Sequence, residues 1–120
     1  MTIQYQIFLG TDTNGRMPEG YDLSPATPNA QAAARQLAFD LAAFYFPGGH
    51  SIREEMGRWK SANGACVTER TIVITWLSSA EQDLNGQGQK AVCDCAAEYK
   101  IRAYQEAVLV TEQEVEAILY

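Results

Sequence analysis

The sequence has one histidine, His50, and only three cysteines and four prolines. It has no apolar run near the ~20 residues of a membrane-crossing helix. Positive charge is also scarce: nine Lys plus Arg stand against fifteen Asp plus Glu, for a net charge of −6. Each shortage excludes something. A single histidine with scattered acids is a poor zinc site, which takes several nitrogen or sulfur ligands, so no metal and no cofactor are expected. An acidic chain is unsuited to general nucleic-acid binding, where Lys and Arg neutralise phosphates. No membrane span is expected. Met1 to Tyr5 shows no basic patch leading into an apolar run, so no secretory signal is visible and a cytoplasmic location is expected. Cys66, Cys93 and Cys95 are odd in number and sparse, which suits a reducing compartment better than a disulfide scaffold. Cys93 and Cys95 are two apart and expected on a helix, where such residues point in different directions. They read as small buried apolar residues rather than a chelate.

What is present describes one domain spanning residues 1–120. The chain is 120 residues long and 47% hydrophobic, too apolar for disorder and too short for two comfortable cores. Ile3, Tyr5, Ile7 and Leu9 alternate with Gln4 and Gln6, the pattern of a half-buried strand. Residues 10–28, rich in Gly, Pro, Asn, Asp and Ser, form a long loop of the kind that is often functional. Thr27-Pro28 predicts a helix start. Ala34, Leu37, Ala38, Leu41 and Tyr45 then repeat at helical spacing until Pro47 stops them. Asn63-Gly64 is the preferred centre of a two-residue hairpin turn. It predicts a register in which Arg58 faces Glu69, Trp59 faces Thr68 and Gly57 faces Arg70. The second hairpin strand is apolar on both faces, with Ile72, Ile74 and Trp76 on one side and Val73 and Leu77 on the other. That suits the centre of a sheet.

Ser78-x-x-Glu81 and Ser79-x-x-Gln82 both fit a capping box and announce a second helix near there, unless Asn85-Gly86-Gln87-Gly88 interrupts it or delays its start; Val92, Cys95, Ala96 and Tyr99 are its apolar stripe. A last short strand is expected at residues 107–110. The acidic tail, 111–120, holds Glu112, Glu114 and Glu116 and is compatible with helix or strand. The order β, α, β-hairpin, α, β is the ferredoxin-like split βαβ pattern, an α+β fold with two helices on one face of a four-stranded antiparallel sheet. The other face is left open. A second copy of the chain is its simplest cover, so a homodimer is expected.

Three stretches also resemble a small bacterial domain family of unknown function. Phe46-Pro47-Gly48-Gly49-His50-Ser51-Ile52 is similar to that family's Phe-Pro-x-Gly-x-Thr segment. Gly57-Arg58-Trp59-Lys60 is similar to its Gly-x-Trp-Arg segment, with Glu69-Arg70 opening the next strand. Tyr104-Gln105-Glu106-Ala107-Val108-Leu109 is similar to its Gln-Glu-Ser-Val-Leu segment. Ser51, Lys60 and Ala107 depart from the pattern. The resemblance implies the same ferredoxin-like fold and brings no activity with it.

The stretch from His50 to Arg70 is the one locally non-acidic region, with Arg53, Arg58, Lys60 and Arg70 against Glu54, Glu55 and Glu69. It predicts a pocket for a small anionic or flat ligand. Gly48 and Gly49 would turn backbone amides toward an anion. Arg53 and Arg70 would fix charge. Tyr45 and Trp59 would supply wall, and His50 and Ser51 directional hydrogen bonds. On this reading the chain is a cytosolic, non-catalytic binding protein. Two alternatives stand beside it. One is a phage-type inhibitor that captures a host protein or sequesters a nucleotide signal. The other is a cofactor-free enzyme with His50 as its acid or base, the sole side chain ordinarily poised near neutral pH.

Overall fold

Alternation in the first segment becomes a strand because one side of it is buried. In the computed structural model, which describes residues 2–79, 83 and 85–118 and leaves the Trp59 side chain undescribed, β1 runs over Thr2–Gly10. Tyr5, Ile7 and Leu9 are buried on one side, while Gln4, Gln6 and Phe8 alternate with them on the other. The remaining elements are α1 (Ala30–Tyr45), β2 (Ser51–Lys60), β3 (Cys66–Ser79), α2 (Gln87–Arg102) and β4 (Leu109–Val115). The strands form one antiparallel sheet in the order β2-β3-β1-β4. This is the expected split βαβ arrangement, and β3, apolar on both faces, is central.

Both helical stripes meet one face of the sheet. Leu37, Ala38 and Leu41 of α1, and Val92, Cys95, Ala96 and Tyr99 of α2, pack with Tyr5, Ile7, Leu9, Ile72, Ile74 and Trp76 into a single core. Cys95 is buried there, and burial pushes its thiol up to about 12; Cys93, two residues away, is exposed. Burial of both, as expected from sequence, therefore holds only for Cys95. No cluster of three or more His, Cys, Asp or Glu side chains able to hold a metal ion occurs among the described residues. Nor is any helix among them long and apolar enough to cross a membrane.

Local expectations are met unevenly. The first helix starts at Ala30, because Asn29 caps it by accepting from the Ala32 amide at 2.8 Å. Thr27 is instead buried in the preceding loop, its hydroxyl donating to the Asp22 carbonyl. The capping boxes fall partly on Glu81 and Gln82, outside the described residues; α2 opens at Gly86 without a side-chain cap. The tail is strand as far as Val115.

The largest shift lies in the hairpin. The hairpin pairs Gly57 with Glu69, Arg58 with Thr68, Trp59 with Val67 and Met56 with Arg70, one residue out of step with the expected register. A two-residue turn centred on Asn63-Gly64 needs positive φ at both positions. Only Gly64 has it, at +85°. The turn instead spans Ser61–Gly64, with the Gly64 amide donating to the Ser61 carbonyl and the Ser61 amide to the Ala65 carbonyl. Gly64 is the left-handed residue that closes a three-residue loop.

The open face of the sheet is mixed. Phe8, Val73, Leu77 and Leu109 share it with Gln4, Gln6, Thr75 and Gln113. Leu77 and Leu109 are about half exposed, at 49% and 47%, while Val73 is fully buried. Interleaved polar groups of this kind do not support the expected dimer.

Candidate functional site

A one-residue slip between paired strands carries each side chain to the other face. For Glu69 this removes the expected ion pair with Arg58. It now faces Gly57, which has no side chain, and projects on the open side of the sheet. Its carboxylate folds over the end of β1, where a Cβ on Gly10 would lie 2.3 Å from Oε1. Only glycine leaves room for it. Oε2 accepts the Asp12 backbone amide at 2.9 Å, and Glu69 makes no ion pair among the described residues. Burial raises its pKa above the ordinary carboxylate value; the Asp12 amide works the other way, and the nearby Asp12 charge adds to the rise.

Two pockets meet at this carboxylate. One, of about 440 Å³, lies on the open face between the hairpin tip and the segment joining α2 to β4. Phe8, Val67, Tyr104, Val108 and Leu109 give it an apolar and aromatic wall; Glu69, Asp12, Glu106 and Lys60 give it charge. The other, of about 510 Å³, lies on the helix side, lined by Thr11, Asp12, Thr13, Gln31, Met56 and Arg70 among others. Glu69 and Asp12 line both.

The surrounding loops are tied down. Tyr99, buried on α2, donates its hydroxyl to the Gly10 carbonyl at 2.6 Å. Burial, with the Glu69 charge as a second cause, holds that phenol well above its usual pKa. Gln105 donates to the Asp12 carbonyl at 2.8 Å. Arg102 donates to the Glu19 carbonyl, and the Glu19 amide donates back to the Arg102 carbonyl at 3.0 Å. Arg16 lies 3.7 Å over the ring of Tyr104. Tyr104 itself has φ of +55°, a conformation that side chains rarely adopt and that collects at functional sites. The long 10–28 loop is thus pinned along the rim of the cleft.

The sequence-predicted site residues are distributed over both ends of the sheet. Tyr45, Gly48, Gly49, His50 and Ser51 lie at the end where α1 turns into β2. There the Gly49 amide donates to the Phe46 carbonyl at 3.2 Å, and His50 Nδ1 is 3.0 Å from the same carbonyl. The Tyr45 hydroxyl donates to Glu98 at 2.6 Å, a bond that with burial pushes its pKa up to about 12. Glu98, also bonded by Arg102, is held below the usual carboxylate range. Ser51 pairs opposite Thr75, five positions from the Met56–Arg70 pair, hence about 17 Å along the strand. Arg53 contacts Glu55 at 3.1 Å on the open face. Arg70 lines the helix-side pocket. Trp59 falls one register position out of phase with Arg70, and its side chain lies outside the described residues. The structure brings Arg70 to the cleft and brings none of Tyr45, Gly48, Gly49, His50 or Ser51 there. Phe8, Gly10, Asp12, Glu69 and Tyr104 are the residues that sequence reasoning did not assign to a site. Signals existed: Glu69 and the 104–109 stretch carried the family resemblance, and the loop's length marked residues 10–28.

A model of proteins of unknown function, DUF3574, matches residues 4–118. The chain belongs to this DUF3574 family. No curated protein matches the sequence. Among solved structures, the chain is similar to a phage SAM lyase in complex with S-methyl-5'-thioadenosine. Identity is 19%, coverage is 94% of this chain and 81% of that one, and the TM-score is 0.64. It is likewise similar to a phage SAM lyase in the apo state, at 19% identity, 92% and 78% coverage and a TM-score of 0.55. At such identity the likeness concerns the fold. These neighbours, both enzymes by name, stand against the expectation of a non-catalytic binding protein.

Proposed function

We propose that this DUF3574 protein is an enzyme acting on an adenosyl sulfonium, with the open-face pocket as its active site. The observation that carries the reading is Glu69. It is a partly buried carboxylate with no cationic partner among the described residues, set against an apolar and aromatic wall in a pocket of about 440 Å³. A carboxylate kept short of water and unpaired is costly unless a cation joins it. A sulfonium is such a cation, and it carries apolar groups suited to the adjoining wall. Tyr104 and Phe8 offer faces for a flat base. The ligand of the lyase neighbour, S-methyl-5'-thioadenosine, is S-adenosylmethionine without its aminobutyrate arm.

When the bond from sulfur to that arm breaks, its electron pair stays on sulfur. The sulfonium becomes a neutral thioether, positive charge moves toward the departing carbon, and a water oxygen bonds to that carbon and gives up a proton, so that the arm leaves as homoserine beside S-methyl-5'-thioadenosine. A fixed carboxylate at that carbon stabilises the developing charge more than water would, because it is already oriented. Glu69 is assigned this role, with Gly10 and the Asp12 amide holding its carboxylate in place.

The test is to incubate the protein with S-adenosylmethionine and follow S-methyl-5'-thioadenosine by chromatography and mass spectrometry. Its formation is expected, and Glu69→Gln should reduce the rate on the order of 10²–10³-fold with the fold retained. Absence of product from the wild type, or full activity in Glu69→Gln, would sink the assignment.

A further inference from the structure

The two pockets share Asp12 and Glu69 in their linings, beside the end of β1. That strand stops at Gly10, whereas β3 continues to Cys66 paired only with β2, so the sheet narrows to a two-stranded ribbon beyond this point. Neighbouring residues on a strand point to opposite faces. Glu69 therefore projects on the open face while lining both lobes, and Arg70 lines the helix-side lobe alone. The lobes differ in the side chains they present. The first has the aromatic wall. The second sets Thr11, Thr13 and Gln31 beside Met56 and Ala30, and holds charges of both signs in Arg70, Asp12 and Glu69.

Arg70 is 64% exposed, its guanidinium open to an incoming group. Among the described residues its carboxylate contact is Glu54 at 3.7 Å, beyond hydrogen-bonding reach, and Glu54 is already bound more closely by Arg35. One carboxylate thus faces two guanidinium groups. A group that offers Arg70 a bidentate anion would meet an unfilled donor fork.

We infer that the helix-side lobe is a specificity subsite for a zwitterionic amino-acid arm, its carboxylate taken by Arg70 and its ammonium by Asp12. This rests on the proposed sulfonium reading. It adds that the protein selects substrates by the arm as well as by the nucleoside, so a sulfonium lacking the carboxylate is a poor substrate. Arg70 is a specificity residue rather than a catalytic one.

Two inert thioethers separate the lobes: S-adenosylhomocysteine, which keeps the arm, and S-methyl-5'-thioadenosine, which lacks it. Isothermal titration of the wild type is expected to show the first binding more tightly. Arg70→Gln should weaken S-adenosylhomocysteine by roughly 10–100-fold and leave S-methyl-5'-thioadenosine unchanged. Glu54→Gln, which removes the competing carboxylate, should strengthen S-adenosylhomocysteine alone; this second variant guards against a folding defect in the first. Equal loss of both ligands in Arg70→Gln, or no loss of either, overturns the subsite while S-adenosylmethionine turnover by the wild type keeps the sulfonium reading intact. Failure of both thioethers to bind the wild type, with no turnover, overturns the two together.

Discussion

The two ends of the sheet are built from similar materials and behave differently. At the end where α1 turns into β2 lie a histidine, a serine, two glycines and a tyrosine, and their polar groups are largely used in closing the structure. The Gly49 amide closes the turn, His50 leans on the Phe46 carbonyl, and Tyr45 ties α1 to Glu98 on α2. At the other end β1 stops early. Among the described residues Glu69 has no cationic partner and Arg70 shares its carboxylate contact, Glu54, with Arg35, while two pockets share part of their lining. The lesson is that residue types with chemical reputations do not make a site. Unspent polar capacity beside accessible volume does.

The contrast can be tested by substitutions at each end. The largest effect is expected from Gly10→Ala. Gly10 is not held at positive φ, and the three atoms nearest the new Cβ belong to the flexible end of Glu69, so the fold should survive while the carboxylate is displaced. Turnover should fall roughly 10–100-fold, since an ångström of misplacement is enough for that. Circular dichroism should be unchanged. Unaltered turnover would mean that the position of Glu69 over Gly10 has no part in the chemistry.

Tyr99→Phe comes next. It removes the buried hydroxyl that anchors the Gly10 carbonyl from the helix layer, at a stability cost of about 1–2 kcal/mol by denaturant unfolding. Amide exchange should quicken at Thr11 and Asp12 before it does at residues 46–51. Uniform quickening would show that the cleft end has no separate anchor.

A smaller effect is expected from pH. Glu69 must be ionised to hold a sulfonium, and its pKa is raised, so affinity should be lost as pH falls through that raised value, at a higher pH than for an ordinary carboxylate near 4.5. Stability runs the opposite way. A carboxyl whose pKa is higher in the folded state contributes stability that is complete below its unfolded value and lost as pH rises through the folded one. At neutral pH Glu69→Gln should therefore raise the midpoint of thermal unfolding slightly while abolishing the pH dependence of binding. A lowered midpoint would contradict the desolvation of Glu69. The smallest effect is assigned to His50→Gln at the closed end: no change in turnover, and stability within about 0.5 kcal/mol of the wild type. Loss of turnover there would reverse the ranking of the two ends.

How much of this was legible in the sequence depends on the range of the interaction concerned. The α1 stripe through Leu37, Ala38 and Leu41 and the alternation of Ile3 to Leu9 could be read directly, because each records which face is buried. The double-sided apolar run from Ile72 to Leu77 marked β3 as central for the same reason. The hairpin was located correctly at Asn63-Gly64, but its register was misread by one residue. That difference moved Glu69 from an ion pair with Arg58 to a solitary position over Gly10. A turn's type depends on the φ values its residues adopt together, and residue identity alone left two registers open.

By itself the sequence determined the α+β class, the order of the elements and the core, because periodic burial is a local property of the chain. It also identified the loop of residues 10–28 and the 104–109 stretch as worth notice. Tertiary structure alone decided that these two segments meet at Glu69, that His50 stands at the far end, and that a cleft lies between Glu69 and Arg70. The register of a hairpin and the point where a strand stops depend on contacts between residues far apart in the chain, and no local pattern encodes which carboxylate is left without a partner.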